Sequence, residues 1–218
     1  MGVRAEATVS LRDARLPADV DGPDDAVGVV LFAHGSGSSR HSPRNVAVAR
    51  VLQRRGLATV LVDLLTAEED AVDARTAELR FDIDLLAGRL TGVVDWLAAE
   101  PALGRLPIGL FGASTGAAAA LVAAAVRPQR IAAVVSRGGR PDLAGPALSE
   151  VRAPTLLLVG GLDDQVITLN EQAAEVLVAP YELRVVPGAG HLFEEPGTLD
   201  QVADAAAGWF TLHLPVPA

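Results

Sequence analysis

The chain has 218 residues, of which 50% are hydrophobic and only 4% aromatic, and its formal net charge is −9 at pH 7. That length favours a single domain over residues 1–218, with a core built mainly from Ala, Val and Leu. The acidic balance argues against partners such as nucleic acid or an anionic membrane. The sequence has no cysteine, which excludes disulfides, thiolate metal sites and a cysteine nucleophile.

Neither a targeting signal nor a membrane span is expected from the sequence. The first residues lack the apolar stretch of a secretory signal. Residues 108–126 carry no charge, but they include Gly-Ala-Ser-Thr-Gly and many alanines, so a buried strand and helix is favoured over a membrane span. We therefore expect a cytoplasmic protein without a membrane partner, and the sequence leaves its oligomeric state open.

Apolar runs and helical patterns alternate along most of the chain. Alternating segments at residues 7–11 and 14–18 predict an N-terminal antiparallel hairpin, and Pro17 suggests that its second strand lies at a sheet edge. The later alternation predicts an α/β fold with a doubly wound, mostly parallel sheet of about eight strands. The other predicted strands are residues 27–33, 57–62, 108–111, 131–135, 155–159 and 183–186. The predicted helices are residues 43–55, 83–99, 117–126, 171–178 and 199–212.

The stretch with the most functional information is residues 112–116, Gly-Ala-Ser-Thr-Gly. It stands between a predicted strand and an alanine-rich helix, and it matches the Gly-x-Ser-x-Gly nucleophile elbow. Glycines on either side let the strand turn sharply into the helix and expose the hydroxyl of Ser114. The N–H of Thr115, at the helix N-terminus, could stabilise an oxyanion. A plain strand-to-helix turn is the alternative for this motif alone.

Functional groups of a doubly wound sheet gather at the carboxyl ends of its strands. The first such end carries a glycine-rich loop, residues 34–41, His-Gly-Ser-Gly-Ser-Ser-Arg-His. The N–H of Ser36 or Gly37 could be a second oxyanion donor, whereas His34 is expected to be structural. The candidates for lining a substrate pocket are Gly37, Arg40, His41 and Arg137. A solvated rim is the alternative for Arg40 and His41, and a surface or structural role is the alternative for Arg137.

Two later strands are followed by an acid and by a histidine. Asp163 and Asp164 come directly after one strand, where an acid can orient an imidazole. Asp163 is favoured for this role, and helix capping is the alternative for both. His191 follows the last strand after small residues. Ser114, Asp163 and His191 therefore occur in the chain order of an α/β-hydrolase triad.

Four motifs together resemble the α/β-hydrolase superfamily. They are the His-Gly-Ser-Gly loop at residues 34–37, the elbow at 112–116, Gly-Gly-Leu-Asp-Asp at 160–164 and Gly-Ala-Gly-His-Leu-Phe at 188–193. The compact size and the spacing resemble the dienelactone-hydrolase-like branch of that superfamily. The similarity runs from about residue 27 to the C-terminus.

The resemblance implies roles for individual residues. Ser114 would be the nucleophile, His191 the base and Asp163 the acid, with Thr115 and the Ser36 region supplying the oxyanion amides. Dienelactone hydrolases proper use a cysteine nucleophile, and the serine at this position favours an esterase acting on small or medium esters or lactones. No cofactor is implied. The four histidines lack the paired spacing of a zinc motif, so no metal is predicted.

The connections leave little space for a cap over the site. A cap usually follows the strand after the elbow helix, where residues 136–152 allow only a short helix or loop. The connection from Leu64 to Arg80, acidic in its first half, could form a small flap or a solvated loop. We therefore expect no large cap domain.

Two other functions compete with ester hydrolysis. A nucleotide-binding module is suggested by Gly35-Ser36-Gly37 after one strand and Asp63 after the next, which imitates a dinucleotide fingerprint. Arg40 replaces the third glycine of that fingerprint, and the order of serine, acid and histidine would be unexplained. The remaining alternative is a hydrolase fold kept only for binding.

Overall fold

A single eight-stranded sheet forms the centre of the protein, which is described here for residues 3–214 of a computed structural model. The strand order is β1-β2-β4-β3-β5-β6-β7-β8. The strands are β1 Val3–Ser10, β2 Arg15–Gly22, β3 Gly28–Ala33, β4 Leu57–Val62, β5 Ile108–Ala113, β6 Ile131–Arg137, β7 Thr155–Gly160 and β8 Tyr181–Val186. The helices are α1 Pro43–Arg54, α2 Ala67–Thr76, α3 Ile83–Ala99, α4 Thr115–Val126, α5 Asp164–Val176 and α6 Thr198–His213, and 3₁₀ segments span Leu79–Phe81 and Pro141–Glu150.

The pairing of the strands confirms the predicted mostly parallel sheet with an N-terminal antiparallel hairpin. β1 pairs with β2, and β2 with β4, in antiparallel fashion, whereas the pairs from β4 to β8 are parallel. The expectation that Pro17 marks an edge strand is wrong, because β2 lies between β1 and β4. Pro17 is tolerated because it lies just beyond the β2–β4 ladder of residues 18–21, and its carbonyl accepts a hydrogen bond from Asp63 N–H (3.1 Å).

Helices cover both faces of the sheet, which explains the uninterrupted apolar runs of its central strands. All six residues are buried in each of β3, β4, β5 and β7. α1 and α6 pack on one face, and α3, α4 and α5 on the other. The apolar residues 108–126 fold as β5 and α4. Among the helices of residues 3–214, none is both long and apolar enough to cross a membrane.

The long connection after β4 contains a helix, α2, that its sequence pattern did not predict. A capping box begins it: the Thr66 hydroxyl accepts from Glu69 N–H (3.2 Å), and the Glu69 carboxylate accepts from Thr66 N–H (2.8 Å). Arg89 of α3 donates to the same carboxylate at 2.8 Å. Since the buried residue of α2 is an aspartate, Asp73, the helix lacks the apolar stripe by which amphipathic helices are recognised.

Substituting Gly116 tests how tightly the elbow is packed. A Cβ at Gly116 would lie 2.3 Å from the carbonyl oxygen of Ala33 and 2.5 Å from that of His34. We expect Gly116→Ala to lower the free energy of unfolding by about 1–3 kcal/mol, because backbone atoms must shift. Urea denaturation measures the change.

The matched control is Gly88→Ala in α3, where an added Cβ would meet no atom within 4 Å. This exposed helical position should gain roughly 0.5–1 kcal/mol of stability. Equal effects of the two substitutions would contradict the close approach at Gly116.

Candidate active site

Ser114 stands at the turn from β5 into α4 in a strained backbone conformation. Its φ and ψ are 51° and −121°, a region that costs a residue with a side chain about 1–3 kcal/mol. A Cβ at Gly112 would lie 2.4 Å from Ala117 Cα, so the turn needs glycine there. Ser114 N–H donates to the Arg137 carbonyl at 3.2 Å, which ties the turn to β6. Thr115 begins α4, and its N–H therefore has no acceptor within the helix.

The glycine-rich loop after β3 lies against this serine. Residues 35–38 form a tight turn closed by a 3.2 Å backbone hydrogen bond, with Gly37 (φ 65°) at the position where type II turns require glycine. A Cβ at Gly35 would lie 3.1 Å from Ser114 Cβ. Ser36 is the next residue of the turn, so backbone N–H groups of this loop adjoin the serine on the side away from β6.

Asp163 and His191 are hydrogen-bonded partners. The Asp163 Oδ2 atom lies 2.7 Å from His191 Nδ1, and the carboxylate makes no capping bond to α5 although it occupies the N-cap position. Asp164 is exposed in the first turn of α5. The two loops are joined by a backbone hydrogen bond from Leu162 N–H to the Ala189 carbonyl (2.9 Å). The contact between acid and histidine is therefore fixed by the backbone on both sides.

The histidine and the serine both adjoin the end of β6. Gly138 follows that strand with φ 51°, and a Cβ there would lie 3.7 Å from His191 Cε1. Ser114 is bonded to the residue immediately before Gly138. The side chains of His191 and Asp163 are 39% and 17% exposed, so the histidine is reachable from solvent and the acid is largely covered.

His34 is occupied by backbone contacts on both sides of its ring. Its Nδ1 lies 3.0 Å from the Gly35 carbonyl oxygen, and its Nε2 accepts from Leu64 N–H at 3.1 Å. Because Nε2 accepts from Leu64 N–H, Nδ1 is the ring atom left to donate to the Gly35 carbonyl. The buried ring therefore joins the glycine-rich loop to the end of β4, which agrees with a structural role.

Two of the predicted pocket residues, Arg40 and His41, lie beside the carboxylates of Asp63 and Asp19. Arg40 donates through its backbone N–H (2.7 Å) and its guanidinium to Asp63, and its Nε is 3.4 Å from Asp19. Desolvation would lower the pKa of Arg40, but the hydrogen bond and charge of Asp63, helped by Asp19, raise it above its usual value. His41 is mostly exposed, 3.7 Å from Asp19. Both side chains line concave surface beside β2.

Arg137, another predicted pocket residue, is a buried cation. It is 7% exposed, and its Nη2 donates to Asn45 Oδ1 of α1 at 3.3 Å. Burial and the neighbouring charge of Arg44 lower the pKa of Arg137 to about 10. Its guanidinium is thus directed into the layer between the sheet and α1.

The sequence analysis missed an ion pair, Asp73 with Arg80, that borders the glycine-rich loop. Arg80 donates through Nε to Asp73 Oδ2 (2.6 Å), through its backbone N–H to Oδ1 (3.0 Å) and through Nη2 to the Asp73 carbonyl (2.9 Å). Its free end reaches the loop: Nη1 would lie 3.2 Å from a Cβ at Gly37. Beside it, a cleft of about 230 Å³ is lined in part by Ser38, Leu65 and Asp70.

Within the described part of the chain, no group of three or more His, Asp or Glu side chains could hold a metal ion.

A model of the dienelactone hydrolase family matches residues 16–212. The crystal structure of a dienelactone hydrolase from Anabaena variabilis is 56% identical and superimposes with a TM-score of 0.96, covering 98% of this chain and 99% of that one. The structure of Est1E from Butyrivibrio proteoclasticus is 16% identical with a TM-score of 0.79, covering 95% of this chain and 98% of that one, and shares the fold.

A curated relative from Mycobacterium tuberculosis strain H37Rv carries the provisional name phosphoribosyl transferase. It is 55% identical over 221 residues, which cover 97% of this chain but 49% of the relative. The chain therefore spans about half the length of this curated relative.

The Asp73–Arg80 pair predicts a pH-dependent stability. Burial alone would raise the pKa of Asp73, but the hydrogen bonds from Arg80 outweigh burial and hold the pKa below its usual value. The pair therefore stabilises the fold above the ordinary aspartate pKa of about 4, and this contribution is lost as the pH falls through the lowered value. Asp73→Asn should lower Tm at pH 7, and the difference from wild type should shrink at lower pH.

Thermal melts of both proteins from pH 7 down to pH 3 measure this effect. The matched control is Glu78→Gln, an exposed carboxylate in the same connection. A Tm difference for Asp73→Asn that stays constant with pH would contradict the role of its charge.

Proposed function

Because the chain belongs to the dienelactone hydrolase family, we propose that it is a serine hydrolase that cleaves small or medium carboxylic esters, lactones included. The observation that carries the proposal is the 2.7 Å hydrogen bond between Asp163 and His191, on loops that meet beside the strained turn of Ser114. An acid that orients a histidine near a partly accessible serine is the arrangement that activates a hydroxyl nucleophile.

In the proposed cycle, Asp163 accepts a hydrogen bond from the Nδ1–H group of His191. The proton stays on Nδ1, and Nε2 is free to act as a base. His191 takes the proton of the Ser114 hydroxyl as its oxygen attacks the ester carbonyl. The same histidine then protonates the leaving alkoxide. Water repeats both steps on the acyl-enzyme, which releases the acid and restores the serine.

The oxyanion of each tetrahedral intermediate would be bound by the N–H groups of Thr115 and Ser36. Thr115 is suited to this because its N–H stands at a helix N-terminus, where partial positive charge gathers. Ser36 belongs to the turn that touches Ser114 through Gly35. Losing one such donor typically raises the barrier by about 2.7–4 kcal/mol.

An open site supports the preference for small acyl groups. Within residues 3–214, the segment between β6 and β7 is a 3₁₀ segment, Pro141–Glu150, and no separate cap domain is present. The border of the site is instead formed by α2 and the 3₁₀ segment after it, where Asp73 of α2 holds Arg80 beside Gly37. A substrate would therefore be held along a shallow cleft.

The nucleotide-binding alternative has less support. A dinucleotide fingerprint needs its glycine turn to open directly into a helix N-terminus, but α1 begins only at Pro43, which has no N–H. Asp63, which would bind a ribose hydroxyl, is bonded to Arg40. The name phosphoribosyl transferase belongs to a protein of which this chain covers only about half.

The nucleophile is tested by Ser114→Ala. The substitution should lower the rate of hydrolysis of a p-nitrophenyl acetate-type ester by about a thousandfold or more, since the attacking oxygen is removed. A fluorophosphonate probe should label wild type at this serine and leave the variant unlabelled, as peptide mass spectrometry would show. Ser149→Ala removes only a solvent-exposed hydrogen bond to the Pro146 carbonyl; it is the matched control and should behave as wild type. A wild-type protein that neither labels nor cleaves activated esters would refute the proposal.

The acid is tested by comparing two neighbouring substitutions. Asp163→Asn should lower kcat by about a thousandfold or more, because the amide no longer holds His191 in the active tautomer. Asp164→Asn should stay within about twofold of wild type, because that exposed side chain contributes nothing to the reaction in the proposed cycle. The reverse order of the two effects would show that the acid is assigned to the wrong residue.

A further inference from the structure

The outer side of β8 is an open sheet edge. Two backbone bonds fix the direction of its polar groups: the Pro180 carbonyl accepts from Thr155 N–H (2.9 Å), and the Val186 carbonyl accepts from Gly161 N–H (2.8 Å). Both donors lie on the β7 side. Because carbonyl direction alternates along a strand, the even-numbered residues of β8 face β7 and the odd-numbered ones face away from it.

The outward-facing groups therefore belong to Tyr181, Leu183 and Val185. β8 is the last strand in the sheet order, so within residues 3–214 no strand pairs with these N–H and C=O groups. An edge of this kind is a template for a further strand. The side chains of Glu182 and Arg184, on the opposite face of the strand from Leu183, form an exposed ion pair with an Nη2–Oε2 distance of 3.0 Å.

The sequence of β8 is complementary to itself when reversed about Leu183. We propose that the chain forms a homodimer in which β8 pairs in antiparallel fashion with β8 of a second copy, with the two-fold axis at Leu183. Leu183 then faces its own copy, and Tyr181 faces Val185, and each of these outward-facing pairs exchanges both of its backbone hydrogen bonds. Glu182 faces Arg184 of the second copy at the intervening positions, where side chains of opposite strands are closest.

Exposed apolar side chains surround the same edge. An interface of ordinary size buries roughly 800 Å² on each partner, more than a six-residue strand supplies, so the neighbouring surface must contribute. Tyr181 and Val185 are 47% and 45% exposed, and both project to the α5 face together with the partly buried Leu183. Exposed apolar residues also occur on the segments next to β8 in the chain or in the sheet, at Leu162 (68%), Val176 (46%), Val178 (66%) and Leu192 (43%).

Pairing at this edge adjoins the candidate active site without entering it. The strand leads directly into the loop that carries His191, and the loop of Asp163 follows the neighbouring strand β7. The dimer contact would therefore lie on the strand that leads into the His191 loop. The proposal does not depend on ester hydrolysis, because it rests on the strand edge alone.

The charge pairs make the dimer testable by charge reversal. In E182R, the introduced guanidinium would face Arg184 of the second copy, twice across the two-fold axis, and R184E would bring carboxylates together in the same way. Each single variant should weaken self-association by about tenfold or more, as measured by sedimentation velocity across a concentration series. The double variant E182R/R184E restores opposite charges at both positions and should self-associate like wild type.

The most specific test of the dimer is an experiment in which the two single variants are mixed. E182R and R184E are complementary to each other, so native mass spectrometry of the mixture should find the mixed dimer in excess over either homodimer. A refolding defect in either variant could not produce this result. The matched control reverses the exposed Arg127–Asp95 pair between α4 and α3 (2.7 Å) with R127D and D95R, neither of which should change self-association.

Three outcomes would overturn the proposal. They are a wild-type chain that sediments as a monomer at all concentrations, single variants that dimerise as tightly as wild type, and a mixture that forms no mixed dimer. A dimer that persists unchanged in every variant would assign the contact to another surface and reject β8.

Discussion

The close approach of backbone to backbone at the β5–α4 turn is the constraint on which the site depends. Gly116 lies against the carbonyls that end β3, and Gly112 lies against the first turn of α4, each within a distance that excludes a Cβ. This packing forces the chain from strand to helix without a loop and holds Ser114 at positive φ. The cost of that conformation is offset by the buried alanine-rich helix behind it, which packs on the sheet over most of its length.

The candidate site is assembled from the ends of five strands, β3, β5, β6, β7 and β8. Ser114 is tied to the end of β6, the loop of the acid is tied to the loop of the histidine, and the glycine-rich turn touches the serine. The first two links are main-chain hydrogen bonds, and the third is a close approach of the Gly35 backbone to Ser114. The positions of the side chains therefore follow from the sheet, and the pairing of Asp163 with His191 needs no contribution from flexible surface groups.

Local patterns in the sequence were sufficient for the sheet and for the loops at its carboxyl edge. Uninterrupted apolar runs indicated the central strands because burial on both faces leaves no polar alternation, and the elbow was recognisable because its glycines are required within a few residues. The prediction that Pro17 lies in an edge strand was wrong because the order of strands in a sheet depends on contacts between distant parts of the chain. Here β4, which is distant in sequence, lies beside β2. α2 was missed because its buried side chain is an acid, and the partner of that acid, Arg80, lies beyond the helix end. The role of Arg137 could not be inferred either, since its partner Asn45 is remote in the chain.

Helix α2, at the rim of the cleft, should tolerate substitutions that the turn between β5 and α4 does not. Its buried side chain is Asp73, and substitutions at its exposed positions should change stability by no more than about 0.5 kcal/mol. The same helix and the turn after it set the charge and shape of the surface beside Gly37. Substitutions in the central turn at residues 112–116 are expected to be destabilising, whereas the exposed residues of α2 can be substituted one at a time at little cost in stability. Proteins with this fold can therefore change the surface that borders the cleft by substitutions that leave the structure of the central turn intact.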